Sequence, residues 1–381
     1  MHEAERGLFD LRRGRPLYIT APDGPGARAE VLLATVESLS RATLDQLRRF
    51  GGGDVRLAVT HHRARAMGLT NGHPQPVSIR LNGETDVNQI LRLSSAIGNY
   101  AGRFADRREA SAAEAGGLTL ARLAGLLPAV VTVAADLGQE PELGGLLASG
   151  AVLAVTAAQI DGLAADNRVE LVHVSEGPVP LEDAEDARFM CVREANGLLE
   201  HVAIVIGQRE SWSDPVPVRL HSACLTGDLF GSLRCDCGEQ LRGSLRIFAE
   251  SGGGVLLYLA QEGRGIGLGN KLRAYLLQQE GLDTIDADGM LGFGADERRY
   301  DAAIEILRHL GIDRVRLLTN NPEKVRALRE GGIAVPGRQP LYGTLNRHNV
   351  HYVTAKVHRA GHWLSEMLDH RRPGSSGETG G

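Results

Sequence analysis

The chain has 381 residues, 43% of them hydrophobic, with 42 Lys and Arg against 47 Asp and Glu and a formal net charge of −5. That is enough apolar material for two or three packed domains, and without a net positive charge no general nucleic-acid surface is expected. Four cysteines do not make a disulfide framework and suit a reducing compartment. The first residues lack the apolar core of a signal peptide, and no run reaches the length of a membrane span, so a cytoplasmic protein off the membrane is expected.

In chain order, 17–20 reads as a short strand followed by a turn-forming run at 21–26. Helical spacing covers 36–50, with Ser38 and Ser40 as candidate caps, and 55–60 alternates like a strand. Helices are expected at 87–97 and 118–127, and strands at 129–134, 150–156 and 169–174. His61 and His62 stand side by side after a strand and lack metal-ligand spacing, so they read as loop histidines. The run 175–187 carries two prolines and five carboxylates and reads as the domain boundary. Beyond it, strands are expected at 201–207, 216–220, 255–260 and 315–319, and helices at 239–250, 270–280, 300–310 and 320–331. Pro322 sits in the first turn of the last helix. The Gly/Ser-rich end is expected to be disordered. The fold class expected is α/β (α+β) with two domains, 1–180 and 187–370, and a tail at 371–381.

The chemistry concentrates in 219–240, RLHSACLTGDLFGSLRCDCGEQ. Three of the four cysteines, Cys224, Cys235 and Cys237, lie there, spaced by ten residues and then by one. Structural zinc sites use four protein ligands, whereas catalytic sites use three and leave a position open. Three thiols therefore favour an open zinc site. A closed site completed by His221, or three unconnected buried thiols, are the alternatives. A Cys235–Cys237 disulfide is disfavoured because their Cβ atoms would point to opposite faces of an extended stretch.

Three further motifs stand out. QEGRGIGLGNK at 261–271 follows a strand and offers backbone N–H groups to an anion, with Glu262 suited to a guanine edge and Arg264 cationic; a plain tight turn is the alternative. In GADERRYD at 294–301, Asp296, Glu297 and Arg298 read as a helix cap and first turn. In TNNPEK at 319–324, Lys324 runs against the helix dipole, which a bound anion would explain. Together these suggest metal-assisted hydrolysis of a phosphorylated substrate.

At the level of motifs, about 187–370 resembles GTP cyclohydrolase II. The matching segments are 221–238, 261–275, 281–284, 291–300, 317–324 and 348–362. The resemblance implies zinc on Cys224, Cys235 and Cys237, and Mg²⁺ on the triphosphate of a small-molecule substrate, GTP. It implies opening of the guanine imidazole ring with release of formate and pyrophosphate, giving 2,5-diamino-6-(5-phosphoribosylamino)pyrimidin-4(3H)-one, as in riboflavin biosynthesis. Asp296 would accept a proton, Arg298 would attack the α-phosphorus, and Tyr275 would support full turnover. Arg219, His221, Gln240, Glu262, Arg264, Thr284, Thr319 and Lys324 would bind substrate, and a homodimer is implied.

The N-terminal part resembles 3,4-dihydroxy-2-butanone 4-phosphate synthase in scaffold only. Its acidic run is replaced by APDGPGARAE at 21–30 and its Gly-His-Thr by Ala112-Ala113-Glu114, so a catalytically inactive domain is expected. In the C-terminal part, Ala223, Ala260 and Gly337, the last before Arg338, depart from the family pattern. They motivate a second reading, a formamidopyrimidine product or another purine nucleotide as substrate. A third is a nucleotide-binding regulatory protein without turnover.

Overall fold

The computed structural model describes residues 2–22, 28–69, 74–98, 100, 102–166, 169–359 and 361–364. Most of the turn expected at 21–26, and the tail at 371–381, lie outside these residues.

The N-terminal elements are α1 (His2–Arg12), β1 (Leu17–Pro22), β2 (Arg28–Thr35), α2 (Arg41–Phe50), β3 (Arg56–Val59), α3 (His61–Ala66), β4 (Val77–Arg80), α4 (Val87–Ser95), β5 (Arg107–Glu109), α5 (Ala112–Leu123), β6 (Ala129–Ala134), α6 (Pro141–Ala148), β7 (Leu153–Thr156) and α7 (Ala157–Ala165). There follow β8 (Leu171–Pro178), β9 (Arg188–Glu194), β10 (Glu200–Ile206), β11 (Val216–Ser222), α8 (Leu225–Asp228), α9 (Cys237–Glu250), β12 (Gly254–Leu259), α10 (Gly267–Gln279), α11 (Thr284–Met290), α12 (Asp301–His309), β13 (Arg314–Leu318), α13 (Pro322–Glu330), β14 (Ala334–Gln339) and α14 (Val350–His358).

The chain divides into two compact units. One holds residues 1–167 together with 265–297, and the other holds 168–264 and 298–381. The excursion of 265–297 into the first unit is not visible in the sequence, where that segment reads as continuous with its neighbours.

The first unit contains a seven-stranded sheet ordered β5-β4-β3-β6-β2-β1-β7, antiparallel except for β1 with β7. Leu32, Leu57, Val59, Val131 and Val133 face a core shared with Leu44, Leu47 and Phe50 of α2 and Ile90 of α4. The other face is covered by α1, α5 and α7. Ser40 caps α2 by accepting from the Thr43 N–H at 3.0 Å. Residues 36–40 are not helical; Ser38 instead donates to the Leu11 carbonyl.

The second unit has a sheet ordered β14-β13-β11-β12-β10-β9-β8, with β11, β12, β13 and β14 parallel. Strict alternation splits its core. Val255, Leu257 and Leu259 face Ile304 and Leu307 of α12 and Leu328 of α13, while Leu256 faces Leu245 and Phe248 of α9. Each such fully buried side chain contributes about 1.5–3 kcal/mol. The strand expected at 169–174 belongs to this sheet, because β8 pairs antiparallel with β9 as far as Pro178. The change of sheet therefore falls between β7 and β8, before the proline- and carboxylate-rich run. That composition marks an exposed edge strand and its turn as readily as a linker. Among the described residues, no helix is long and apolar enough to cross a membrane.

Candidate active site

Parallel strands end together, and loops at their carboxyl ends converge. In the second unit β11 ends in the first thiol, β12 in the 261–264 turn and β13 in 319–321.

Cys224 follows β11 and precedes α8; Cys235 lies in the loop after α8; Cys237 opens α9. The three sulfurs lie within 4.8 Å of one another, and Cys224 and Cys235 are 3.7 Å apart. Thiolates held at about 2.3 Å by a tetrahedral zinc lie about 3.8 Å apart, so the cluster fits that ion. All four cysteines are free thiols. Hydrogen bonding to Cys224 pushes the Cys235 thiol up to about 11, and bonds to the other two thiols together with burial push Cys237 up as well. Thiols this crowded resist joint ionisation, and a divalent cation reverses that preference. His221 is not among the ligand group.

Gly227 fits the cluster sterically. A Cβ there would sit 2.7 Å from the Cys235 Sγ and 3.0 Å from the Cys224 Sγ. Any side chain would occupy the space the thiols share.

Asp228 anchors the first thiol. Its carboxylate accepts from the Cys224 backbone N–H at 2.9 Å and from the Tyr258 hydroxyl at 2.9 Å, and meets His221 Nε2 at 3.0 Å. Its side chain is 7% exposed. Burial lowers the His221 pKa, only partly opposed by the hydrogen bond to Asp228, so the imidazole is neutral at physiological pH. Burial, then the Asp228 charge, raises the Tyr258 pKa. Asp228 and Tyr258 are not conspicuous in the sequence. The only clue is a carboxylate four residues after a candidate ligand.

Under the other two thiols runs a second chain. Gln240 donates to the buried Asp236 at 2.6 Å and accepts from Arg219 at 2.7 Å, and Arg219 also donates to the Leu318 carbonyl. Burial brings the Arg219 pKa down to about 10, so it stays a cation. Arg219 Nε, His221 Nδ1 and Asn321 Nδ2 are buried and have no hydrogen-bond partner. Buried polar atoms are usually paired, so these three, on β11 and after β13, are candidates to meet a bound ligand; among the described residues Tyr18 Oη and Arg316 Nε, which carry no site role, are unpaired as well.

Glu262 uses one oxygen for the Leu225 N–H at 2.6 Å and the other for the Gly263 N–H at 3.0 Å, bracing the start of α8. Arg264 has φ 62, the left-handed value glycine favours, and among the described residues no other non-glycine has positive φ. Such strain costs about 1–3 kcal/mol and gathers at functional sites. Thr319 accepts from the Asn321 N–H at 3.0 Å. Lys324 is buried and donates to the Leu220 carbonyl at 2.7 Å.

Arg298 lies in the second unit, half-buried in the loop before α12. Tyr275 in α10, Thr284 at the start of α11 and the exposed Asp296 belong to the first unit. The helix expected at 300–310 runs from Asp301 to His309, with Tyr300 in the cap position, so Asp296, Glu297 and Arg298 are loop residues rather than a cap and first turn. Of the departures from the family pattern, the Ala260 N–H donates to His201 Nδ1 and the Ala223 N–H to the Leu259 carbonyl, and Gly337 lies in β14.

Comparison with known proteins bears on this arrangement. The family model for GTP cyclohydrolase II matches residues 172–340. The chain is 41% identical to the GTP cyclohydrolase-2 of Azospirillum brasilense over 95% of its own length and 94% of that protein. It is 40% identical to that of Xylella fastidiosa, over 98% and 91%. A shorter Pseudomonas aeruginosa GTP cyclohydrolase-2 is 49% identical and matches 52% of this chain. Among solved structures, a two-domain 3,4-dihydroxy-2-butanone 4-phosphate synthase from A. baumannii aligns at 15% identity and a TM-score of 0.33, over 90% of this chain and 99% of that one. Near-full-length identity at this level, on top of the intact thiol triad, makes the chain a member of the GTP cyclohydrolase II family of hydrolases.

Proposed function

We propose that this protein opens the imidazole ring of GTP by hydrolysis, releasing formate and pyrophosphate and leaving 2,5-diamino-6-(5-phosphoribosylamino)pyrimidin-4(3H)-one, in riboflavin biosynthesis or a related route. The observation that carries the reading is the triad Cys224, Cys235 and Cys237, closely spaced and backed by a glycine that leaves the sulfurs room. These residues would hold Zn²⁺, which when bound supplies Lewis acidity and an acidified water.

The chain's own residues do the rest. Asp228 and Glu262 fix the two ends of the Cys224 turn through backbone N–H groups. Arg219 and the unpartnered His221 Nδ1 and Asn321 Nδ2 bind and orient the nucleotide. Gln240, Arg264, Thr284, Thr319 and Lys324 are assigned to substrate placement, Gln240 acting through Arg219. Asp296 would accept a proton. Arg298 would attack the α-phosphorus and displace pyrophosphate, whose triphosphate precursor carries Mg²⁺. Tyr275 would support steps after ring opening. A soluble, cytoplasmic homodimer is the assembly we assign. The N-terminal part (to about residue 180) is read as catalytically inactive, supported by Glu114 standing fully hydrogen-bonded where the related synthase has its motif histidine region.

The test is mass identification of the nucleotide product after incubating zinc-replete protein with GTP and Mg²⁺. The diaminopyrimidine monophosphate is expected. Ala223 and Ala260 favour one second reading, a formamidopyrimidine nucleotide. A product that retains the formyl carbon would replace the first reading with that one.

A further inference from the structure

Residues 265–297 fold with the N-terminal part of the chain, and the contacts are specific. Ile266, Ala274, Leu277, Ala287, Met290, Leu291 and Phe293 of this segment form one apolar cluster with Leu127, against which Ala66 and Leu91 also pack. Gly292 has φ +89, and a Cβ there would meet Thr60 Oγ1 at 3.0 Å and Pro128 Cγ at 3.2 Å. The Thr60 hydroxyl donates to the Gly292 carbonyl at 2.7 Å. Arg273 pairs with Glu37 at 2.9 Å, and Glu37 also takes the Leu127 N–H.

Arg63 of α3 sits at the centre and is 1% exposed. Its guanidinium donates to the carbonyls of Leu93 and Ala96, at the carboxyl end of α4, and of Met290, at the carboxyl end of α11. Helix carboxyl ends leave carbonyls without intrahelical partners and carry partial negative charge. One buried cation therefore caps two helices at once, one from the N-terminal part and one from the segment. Burial brings its pKa down to about 10, which still leaves it charged at physiological pH. Removing it would strand carbonyls from both helices in the interior without a donor.

We infer that the N-terminal part of the chain is the positioning scaffold for segment 265–297, with Arg63 as its central pin. The segment carries Tyr275, Thr284 and Asp296, so the inference rests on the proposed roles of those residues. It gives the N-terminal part a task in turnover with no chemistry of its own.

The experiment compares full-length parent, Arg63→Met, Arg63→Lys and Thr60→Val, all zinc-replete. Amide hydrogen exchange across 284–293 is measured beside kcat and KM for GTP. In Arg63→Met we expect exchange there to quicken at least about tenfold and kcat to fall by a similar factor, with metal content unchanged. Arg63→Lys should recover part of both. Thr60→Val, which keeps the Arg63 side chain but loses the bond to Gly292 and the side-chain cap of α3, should move both in the same direction by a smaller factor and serves if Arg63→Met does not fold. Unchanged exchange in 284–293, or faster exchange with unchanged kcat, overturns the inference. A parent that leaves GTP intact would count against the functional reading, and the exchange comparison would still decide the scaffold.

Discussion

Two buried polar clusters, one in each unit, have opposite characters. In the first unit the Glu114 carboxylate, fully buried, accepts from Ser78 at 2.8 Å, Thr132 at 2.9 Å, Arg108 at 2.7 Å and the Ser111 N–H at 2.7 Å. Every lone pair it needs to fill is filled. In the second unit Arg219, His221 and Asn321 each keep a buried polar atom without a partner beside three thiols that resist shared ionisation. Saturation stabilises a fold, whereas unpaired donors and acceptors leave capacity for a ligand. Both clusters contain charged and polar groups at similar depth, so burial alone does not separate scaffold from site. Within these two clusters the state of the hydrogen bonds differs, although Tyr18 Oη in the first unit is also unpaired.

That contrast can be broken first at the thiols. Cys235→Ser should abolish metal binding at stoichiometric levels and with it formate release, measured by metal analysis and formate assay on the purified variant. Turnover at the parent rate would remove the triad from the chemistry.

Asp228→Asn is the next largest effect. Residues that orient ligands from behind typically tune metal affinity 10- to 100-fold, and we expect zinc loss to a competing chelator to rise within about that range. Tyr258→Phe removes one hydrogen bond to the same carboxylate and should cost about threefold to tenfold. Parent-like affinity in both would reduce Asp228 to an ordinary buried carboxylate.

The smallest effect on chemistry, and a large one on stability, is expected at Glu114. Burial alone would raise its pKa, but the hydrogen bonds from Arg108 and Ser111 and the Arg108 charge outweigh it and hold it below the ordinary carboxylate value. A depressed folded-state pKa stabilises above the unfolded value of about 4.3 and loses that contribution as pH falls through the folded value. Acid unfolding of the parent should therefore include a Glu114 contribution that Glu114→Gln removes. Glu114→Ala should lower stability at neutral pH by about 3 kcal/mol, since the buried Ser78 and Thr132 hydroxyls then lose their acceptor. Its metal content should stay at the parent level; a fall would show that the two clusters are not independent.

The contrast also marks how far the sequence could be read. Thiol spacing alone pointed to an open metal site, because three sulfurs in a Cys-poor chain have few other uses. The continuous apolar runs of β10 and β12 were legible because successive residues face one core and then the other. The run 188–194 was missed as a strand, since its apolar centre, 189–192, is only four residues long and is flanked by Arg188, Arg193 and Glu194. Asp296 resembled a helix cap because acidic residues favour helix starts, but the helix begins five residues later. The backbone partner of Lys324, the Leu220 carbonyl, is 104 positions away in the chain, so no local pattern could show that bond. The association of 265–297 with the N-terminal part depends on Arg63 reaching Met290 across 227 positions, and no local pattern records such a contact.

The central claim, that the thiol triad makes this chain a hydrolase of the guanine ring, is tested most directly by counting formate released per GTP consumed. The protein should be zinc-replete, with metal content verified, and Mg²⁺ present. The account predicts one formate for each GTP consumed. GTP left unchanged with metal confirmed on the protein would contradict it.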